Sequence, residues 1–128
     1  AAGADIASLV DAAGIALGPQ LKMDLLEVFG ALSAIGAEFG FRTAKEIARF
    51  MVIHHELCGT AWVYRDALDA QVLQKLMPKL HGSARKLSGV LKEVEAFATT
   101  KDLKLTLEKV QRMQQRLERD GFTSFAEA

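Results

Sequence analysis

Apolar residues recur every three or four positions along almost the whole chain, and glycine or proline interrupts this spacing at intervals. Such a period places apolar side chains on one face of an α-helix. The only strand-like runs, residues 52–53 and 61–64, are too short to build a sheet. The sequence therefore predicts an all-α protein, a compact bundle of about five to six helices.

The helix boundaries in the first half follow from proline, glycine and a capping motif. A first apolar stripe covers residues 6–17, and Pro19 opens the second helix. Thr43 is the predicted N-cap of the third helix, because Glu46 stands in the capping-box position three residues later. Gly59 is expected to end that helix.

Similar signals divide the second half. The fourth segment begins at Asp66 and must stop or kink at Pro78, which cannot occupy a helix interior. Ser83 begins the fifth segment, and Thr99 or Thr100 is the predicted cap of the sixth. We expect the two phenylalanines of the C-terminal tail to fold back onto the core.

Length and charge describe one neutral domain with two unlike halves. The 128 residues are enough for one core, so residues 1–128 are predicted to form a single helical domain. Sixteen basic residues balance sixteen acidic ones. Residues 1–78 nevertheless carry a net charge of −3, and residues 79–119 carry +5. The basic half could face phosphate or an acidic partner, or it could be an ordinary solvated surface.

Several classes of protein are excluded or disfavoured. One cysteine and two prolines leave no disulfide scaffold and no proline-rich linker. No apolar run reaches the ~18 residues that a transmembrane helix needs, and no signal peptide is recognisable. The lone Cys58 fits a reducing compartment, so a cytoplasmic location is expected. The start at Ala1 fits either a removed initiator methionine or a segment of a longer protein.

The histidines do not form a convincing metal site. His55 and Cys58 are three residues apart and could share a helix face, but a zinc site needs two further ligands and His81 is the only distant histidine. His54 lies on the apolar stripe and is expected to be partly buried. We predict no metal site, and no arrangement of nucleophile and base indicates a catalytic residue within this chain alone.

Arg42 is the strongest candidate for chemistry. It stands just before the predicted N-cap Thr43, where the helix dipole disfavours a guanidinium unless an anion is present. Arginine offers a planar set of donors that suits phosphate. The alternative is an exposed side chain paired with Glu38 or Glu46. The chain has neither a P-loop nor a G-x-G-x-x-G motif, so it has no phosphate cradle of its own.

Two runs resemble a known family. Residues 39–50, FGFRTAKEIARF, look like the sensor-2 region of AAA+ ATPases. Residues 67–83, ALDAQVLQKLMPKLHGS, are similar to the C-terminal part of McrB-like proteins, the nucleotide-hydrolysing subunits of modification-dependent restriction systems. The two runs occur in the family's order, and the resemblance covers roughly residues 20–98.

The resemblance implies a helical lid that packs over a nucleotide held by a separate α/β core. Arg42 matches the sensor-2 arginine, which approaches the nucleotide phosphates from the lid. The Walker motifs, sensor 1 and the arginine finger are missing, so this chain would not hydrolyse nucleotide alone. The resemblance implies ATP or GTP with Mg²⁺ in the full-length protein, with no cofactor held by this chain alone.

The same resemblance implies partners. They are the AAA+ core domain in the same parent chain, other subunits of a ring and a nuclease, with DNA contacted indirectly and no membrane. Two alternatives stay open beside it. The chain could be a stand-alone helical protein-interaction domain, or a helical nucleic-acid-binding domain that uses its basic C-terminal half.

Overall fold

The computed structural model describes residues 18–128, and the predicted first helix over residues 6–17 lies outside them. The all-α prediction is confirmed, because helices dominate this part of the chain. The five α-helices are α1 (Gly18–Ser33), α2 (Phe41–Cys58), α3 (Tyr64–Gln71), α4 (Ala84–Lys101) and α5 (Lys104–Asp120).

Short irregular helices and a small sheet complete the described part. A 3₁₀ turn (Gly59–Ala61) follows α2, and a π-helical turn (Val72–Leu76) and a second 3₁₀ turn (Met77–Lys79) follow α3. Strand β1 (His81–Ser83) pairs antiparallel with β2 (Phe122–Ser124). The predicted break at Pro78 is confirmed, but both strands lie outside the runs whose composition is strand-like.

Helices α4 and α5 form an antiparallel hairpin. Only two residues connect them, and the strand before α4 pairs with the strand after α5 at the opposite end. The hairpin and the other helices surround one hydrophobic core whose members come from every helix. Its largest fully buried aliphatic side chains include Leu21, Leu25, Leu32, Ile47, Leu68, Leu76, Leu80, Leu87, Leu91 and Leu103.

The C-terminal tail folds back as expected, through one of its two phenylalanines. The amide of Phe125 donates to the carbonyl of Leu80 at 3.3 Å, and its ring packs against the core beneath the Lys109 ammonium, 4.5 Å from the ring centre. Thr123 is fully buried. Phe122, in contrast, is 47% exposed. Pairing with β1 therefore holds the tail in place while leaving one aromatic ring in solvent.

The predicted N-cap of α2 is wrong. The helix begins at Phe41, Gly40 occupies the N-cap position in an extended conformation, and no side chain caps it. Thr43 lies within the first turn, because the carbonyl of Gly40 already accepts a helical hydrogen bond from the amide of Ala44 at 3.2 Å. The expected end at Gly59 is confirmed, with φ at 56°.

The N-terminus of α4 is capped as the sequence predicts. The Ser83 hydroxyl accepts a hydrogen bond from the amide of Lys86 at 3.4 Å. This is ordinary N-cap geometry, in which a side chain satisfies an amide that has no partner within the helix.

The N-terminus of α5 is capped from a distant part of the chain. Thr99 and Thr100 do not cap it, because α4 continues to Lys101 and ends at Asp102 in the left-handed conformation. The cap comes from Asp69 of α3, which is 5% exposed. Its two carboxylate oxygens accept from the amides of Leu105 and Thr106, each at 2.8 Å. A carboxylate here also complements the positive end of the helix dipole.

A second buried carboxylate joins three helices. Asp24 of α1 is 1% exposed. Its oxygens accept a hydrogen bond from the Tyr64 hydroxyl of α3 at 2.7 Å and pair with the Lys101 ammonium of α4 at 3.0 Å. Burial raises the pKa of Tyr64 well above that of a free tyrosine, and the hydrogen bond to Asp24 and its negative charge act in the same direction. The phenol is therefore held in its protonated form.

This raised pKa predicts a loss of stability in alkali. The folded state holds the Tyr64 proton more tightly than the unfolded state, so the stabilisation is complete below the unfolded pKa of about 10 and declines as pH rises above it. We expect Tyr64→Phe to flatten the fall in the free energy of unfolding between about pH 9 and 12. Because Tyr64 is the single tyrosine, its ultraviolet titration reports the ionisation directly. Ionisation near pH 10 in the folded protein would contradict this prediction.

Candidate functional site

Arg42 lies in the first turn of α2, and its side chain is 94% exposed. The prediction that it precedes the helix is wrong, because α2 begins one residue earlier, at Phe41. Its Nε is 3.8 Å from Oε1 of Glu46, so one of the two pairings expected from the sequence is confirmed. At this exposure such a pair contributes ~0.3 to 0.5 kcal/mol, which leaves the guanidinium free to exchange Glu46 for a stronger anion.

Glu46 is shared with a second cation that the sequence did not single out. The Lys75 ammonium, from the π-helical turn, is 3.4 Å from the other carboxylate oxygen of Glu46. This contact joins residues 29 positions apart and brings Lys75 to the N-terminal end of α2. Two cations thus converge on one exposed carboxylate, which cannot satisfy all of their donors.

Arg42 begins an exposed face that continues along α2. At 100° per residue, this face lies opposite the buried residues of the helix. Two of its members are large apolar side chains, Ile53 at 56% exposure and Leu57 at 81%. We call this surface the α2 outer face; it consists of Arg42, Glu46, Arg49, Ile53 and Leu57.

The histidines near the end of α2 pack with aromatic rings and a thiol. His54 is partly buried, as predicted, and stacks on Phe50 with ring centres 5.3 Å apart. Its Nε2 is 3.6 Å from the Cys58 sulfur. His55 instead meets Trp62 edge-on at 4.9 Å. Across residues 18–128, no group of three or more histidine, cysteine or carboxylate side chains could hold a metal ion.

A long stretch without carboxylates spans the boundary between the acidic and the basic halves of the chain. No aspartate or glutamate occurs in residues 70–92. Its cationic side chains are all exposed, and within the part of the chain that the structure describes only Lys75 has a carboxylate within 4 Å. The others are Lys79, Arg85, Lys86 and Lys92, with His81 between them.

A groove of about 300 Å³ between α1 and α4 has a different character. Its apolar wall is formed by Val28, Val94 and Phe97, and two glutamates, Glu27 and Glu93, line it as well. None of the described residues that line it is basic. The groove is therefore unsuited to a phosphate, in contrast to the surface around Arg42.

The family comparison covers almost the whole chain, including Arg42 and the carboxylate-free stretch. A family model described as a domain of unknown function, DUF8727, matches residues 4–122. The chain belongs to the DUF8727 family. No curated protein and no solved structure matches it. Within residues 18–128 of this DUF8727 domain, no helix is long and apolar enough to cross a membrane.

Proposed function

We propose that this DUF8727 domain is the helical lid of a McrB-like AAA+ NTPase. In this proposal Arg42 provides a sensor-2-type contact to the phosphates of a nucleotide held by a separate core domain. The observation that supports it most directly is the exposure of Arg42 in the first turn of α2, with only a long ion pair to Glu46 among the described residues. The resemblance of residues 39–50 to the sensor-2 region of AAA+ ATPases, and of residues 67–83 to McrB-like proteins, supports the same assignment.

The chemistry of the site suits a phosphoryl group. The positive end of the α2 dipole repels the guanidinium of Arg42. A phosphate bound there would be attracted both by the guanidinium and by the helix N-terminus. The planar set of guanidinium donors can hydrogen-bond to the phosphate oxygens and stabilise the negative charge that develops on them during phosphoryl transfer. Lys75, which shares Glu46 with Arg42, adds a second positive charge at the same end of α2.

The rest of the α2 outer face suits contact with a core domain. A helix rises 1.5 Å per residue, so Ile53 and Leu57 lie about 16 and 22 Å along the axis from Arg42. Both apolar side chains are exposed in this chain. A core domain that packed on them would cover both and leave Arg42 at the nucleotide end of the same surface.

The proposal also assigns the surroundings of the domain. The core domain would bind ATP or GTP with Mg²⁺, and the ring subunits and nuclease of such systems would be the partners of the whole protein. A cytoplasmic location goes with this assignment. The DNA substrate would be chosen elsewhere in the assembly, so the contribution of Arg42 would be to hydrolysis.

The proposal predicts a specific defect in the intact parent protein. Arg42→Ala is expected to lower kcat for nucleotide hydrolysis about 100-fold, because it removes charge stabilisation from the transition state. Steady-state hydrolysis measures this, with Arg112→Ala as the control because Arg112 is also an exposed arginine, on α5. The control is expected to change kcat less than twofold. Wild-type turnover by the Arg42→Ala protein would remove Arg42 from the site.

A simpler observation tests the assignment before any enzymology. The gene upstream of Ala1 should encode a G-x-x-x-x-G-K-[ST] loop, roughly 150 to 300 residues earlier. A start codon immediately before Ala1 would contradict the proposal that this domain is the lid of a longer NTPase chain, and it would favour a stand-alone interaction domain.

A further inference from the structure

The β1–β2 ribbon exposes an aromatic side chain beside the carboxylate-free stretch. His81 faces Ser124 and Ser83 faces Phe122 across the pair, so these four side chains share one side of the ribbon. Thr123, on the other side, is fully buried. The outer side therefore carries His81 and the half-exposed Phe122. These two residues are diagonal neighbours on the two strands, and such neighbours lie ~7 Å apart.

Exposed cationic residues adjoin β1 in the sequence on both sides of the strand. Lys79 is two residues before the strand, and Arg85 and Lys86 lie two and three residues after it, in the first turn of α4. Gly82 has a φ of 141°, and a Cβ there would come 3.0 Å from the Lys86 Cδ. The glycine thus allows the aliphatic stem of Lys86 to lie against the ribbon. We call these residues, with His81 and Phe122, the ribbon surface.

The nearest acidic residues do not neutralise the ribbon surface. Asp120, two residues before Phe122, is paired with Arg119 at 3.0 Å and with Arg116 at 3.6 Å. The hydrogen bond from Arg119 lowers the pKa of Asp120. Glu118 lines a groove together with Ala84, Ser88 and Lys92 of α4. Among residues 18–128, no carboxylate lies within 4 Å of the cationic groups at positions 79, 85 and 86.

Exposed rings among unpaired cations suit one class of partner. An acidic protein would use the cations but has no need of two exposed rings. A duplex hides its bases within the stack, so the rings could not contact them. A single nucleic-acid strand offers both the phosphates and the unstacked base faces. We propose that the ribbon surface binds single-stranded nucleic acid, with bases stacked on Phe122 and His81 and phosphates held by Lys79, Arg85 and Lys86.

This proposal is independent of a nucleotide contact by Arg42, and the 128-residue chain itself can test it. Fluorescence anisotropy would compare labelled oligothymidine and oligouridine of about 15 nucleotides with a duplex of equal length. We expect the single strands to bind more tightly. Three phosphate contacts predict that the logarithm of affinity falls with the logarithm of salt concentration at a slope of about −2.

Two sets of variants separate stacking from charge. Phe122→Leu keeps an apolar side chain and should weaken single-strand binding about tenfold, whereas Phe122→Tyr should retain it. The double variant Arg85→Gln/Lys86→Gln should weaken binding and reduce the salt slope by about 1.4. The matched control, Lys104→Gln/Arg112→Gln, removes the same charge from exposed positions of α5 and should change affinity less than twofold.

Three results would overturn the proposal. The first is no binding at about 20 mM salt, where phosphate contacts are strongest. The second is an equal loss of affinity in the α5 control. The third is duplex binding as tight as single-strand binding together with no effect of Phe122→Leu. Because Phe122 is half-exposed, its variants are expected to fold, and the fluorescence of Trp62, the single tryptophan, checks this.

Discussion

Asp69→Ala is expected to lower the free energy of unfolding by about 3 kcal/mol. The loss of an N-cap side chain alone costs ~1 kcal/mol, and hydrogen bonds to a charged group contribute ~1.5 to 3 kcal/mol. Here one nearly buried carboxylate accepts from two amides at 2.8 Å, so both amides at the start of α5 lose their partner in the variant. The helix would also lose the negative charge at its N-terminus.

Urea denaturation followed by far-ultraviolet circular dichroism measures this effect. A loss of 3 kcal/mol in a domain of this size lowers Tm by about 10 °C. Asp66→Ala is the matched control, because Asp66 is an exposed aspartate one turn earlier in α3 whose ion pair with Arg65 is long, at 3.9 Å. The control should change stability by less than about 0.5 kcal/mol. Equal effects of the two substitutions would contradict a capping role for Asp69.

Asp24→Ala is expected to destabilise the protein by a similar amount, about 3 kcal/mol. Removing one member of a buried ion pair costs ~3 to 5 kcal/mol, because the remaining group stays desolvated. The lower end applies here, since the Lys101 side chain is 32% exposed and can reach water. The Tyr64 hydroxyl would lose its acceptor at the same time.

A double-mutant cycle separates the pair from the packing around it. Lys101→Met should cost less in the Asp24→Ala background than in the wild-type protein, because the ion pair is already absent there. Glu27→Ala is the control, since Glu27 is an exposed carboxylate one turn farther along α1. Additive effects of Asp24→Ala and Lys101→Met would show that the 3.0 Å contact contributes nothing to stability.

The candidate sites were predictable to different degrees. Arg42 could be selected from sequence, because its position beside a helix start and its resemblance to a sensor-2 arginine are both local features. Lys75 could not be placed beside it, since their shared carboxylate, Glu46, is 29 residues away from Lys75. His81 and Phe122 are farther apart still, and only the pairing of β1 with β2 brings them onto one surface. The available signal was the absence of acidic residues from positions 70–92.

The helical segments and most of their boundaries are determined by residues that are close together in the chain. Apolar spacing, Pro19, Pro78 and the Ser83 cap act within a few residues, so they are legible without a structure. The cap of α5 is different: Thr99 and Thr100 were reasonable local candidates, but α4 runs through both.

Packing alone selected Asp69 for that cap and buried Asp24 between three helices. Neither role can be predicted from neighbouring residues, because the partners of each carboxylate are 36 or more residues away in the chain and come close only in the folded protein. Sequence periodicity thus specifies which segments are helical and which face each one buries. Tertiary contact decides which polar groups may be buried, since a charge can leave water only where partners from other helices replace its hydration.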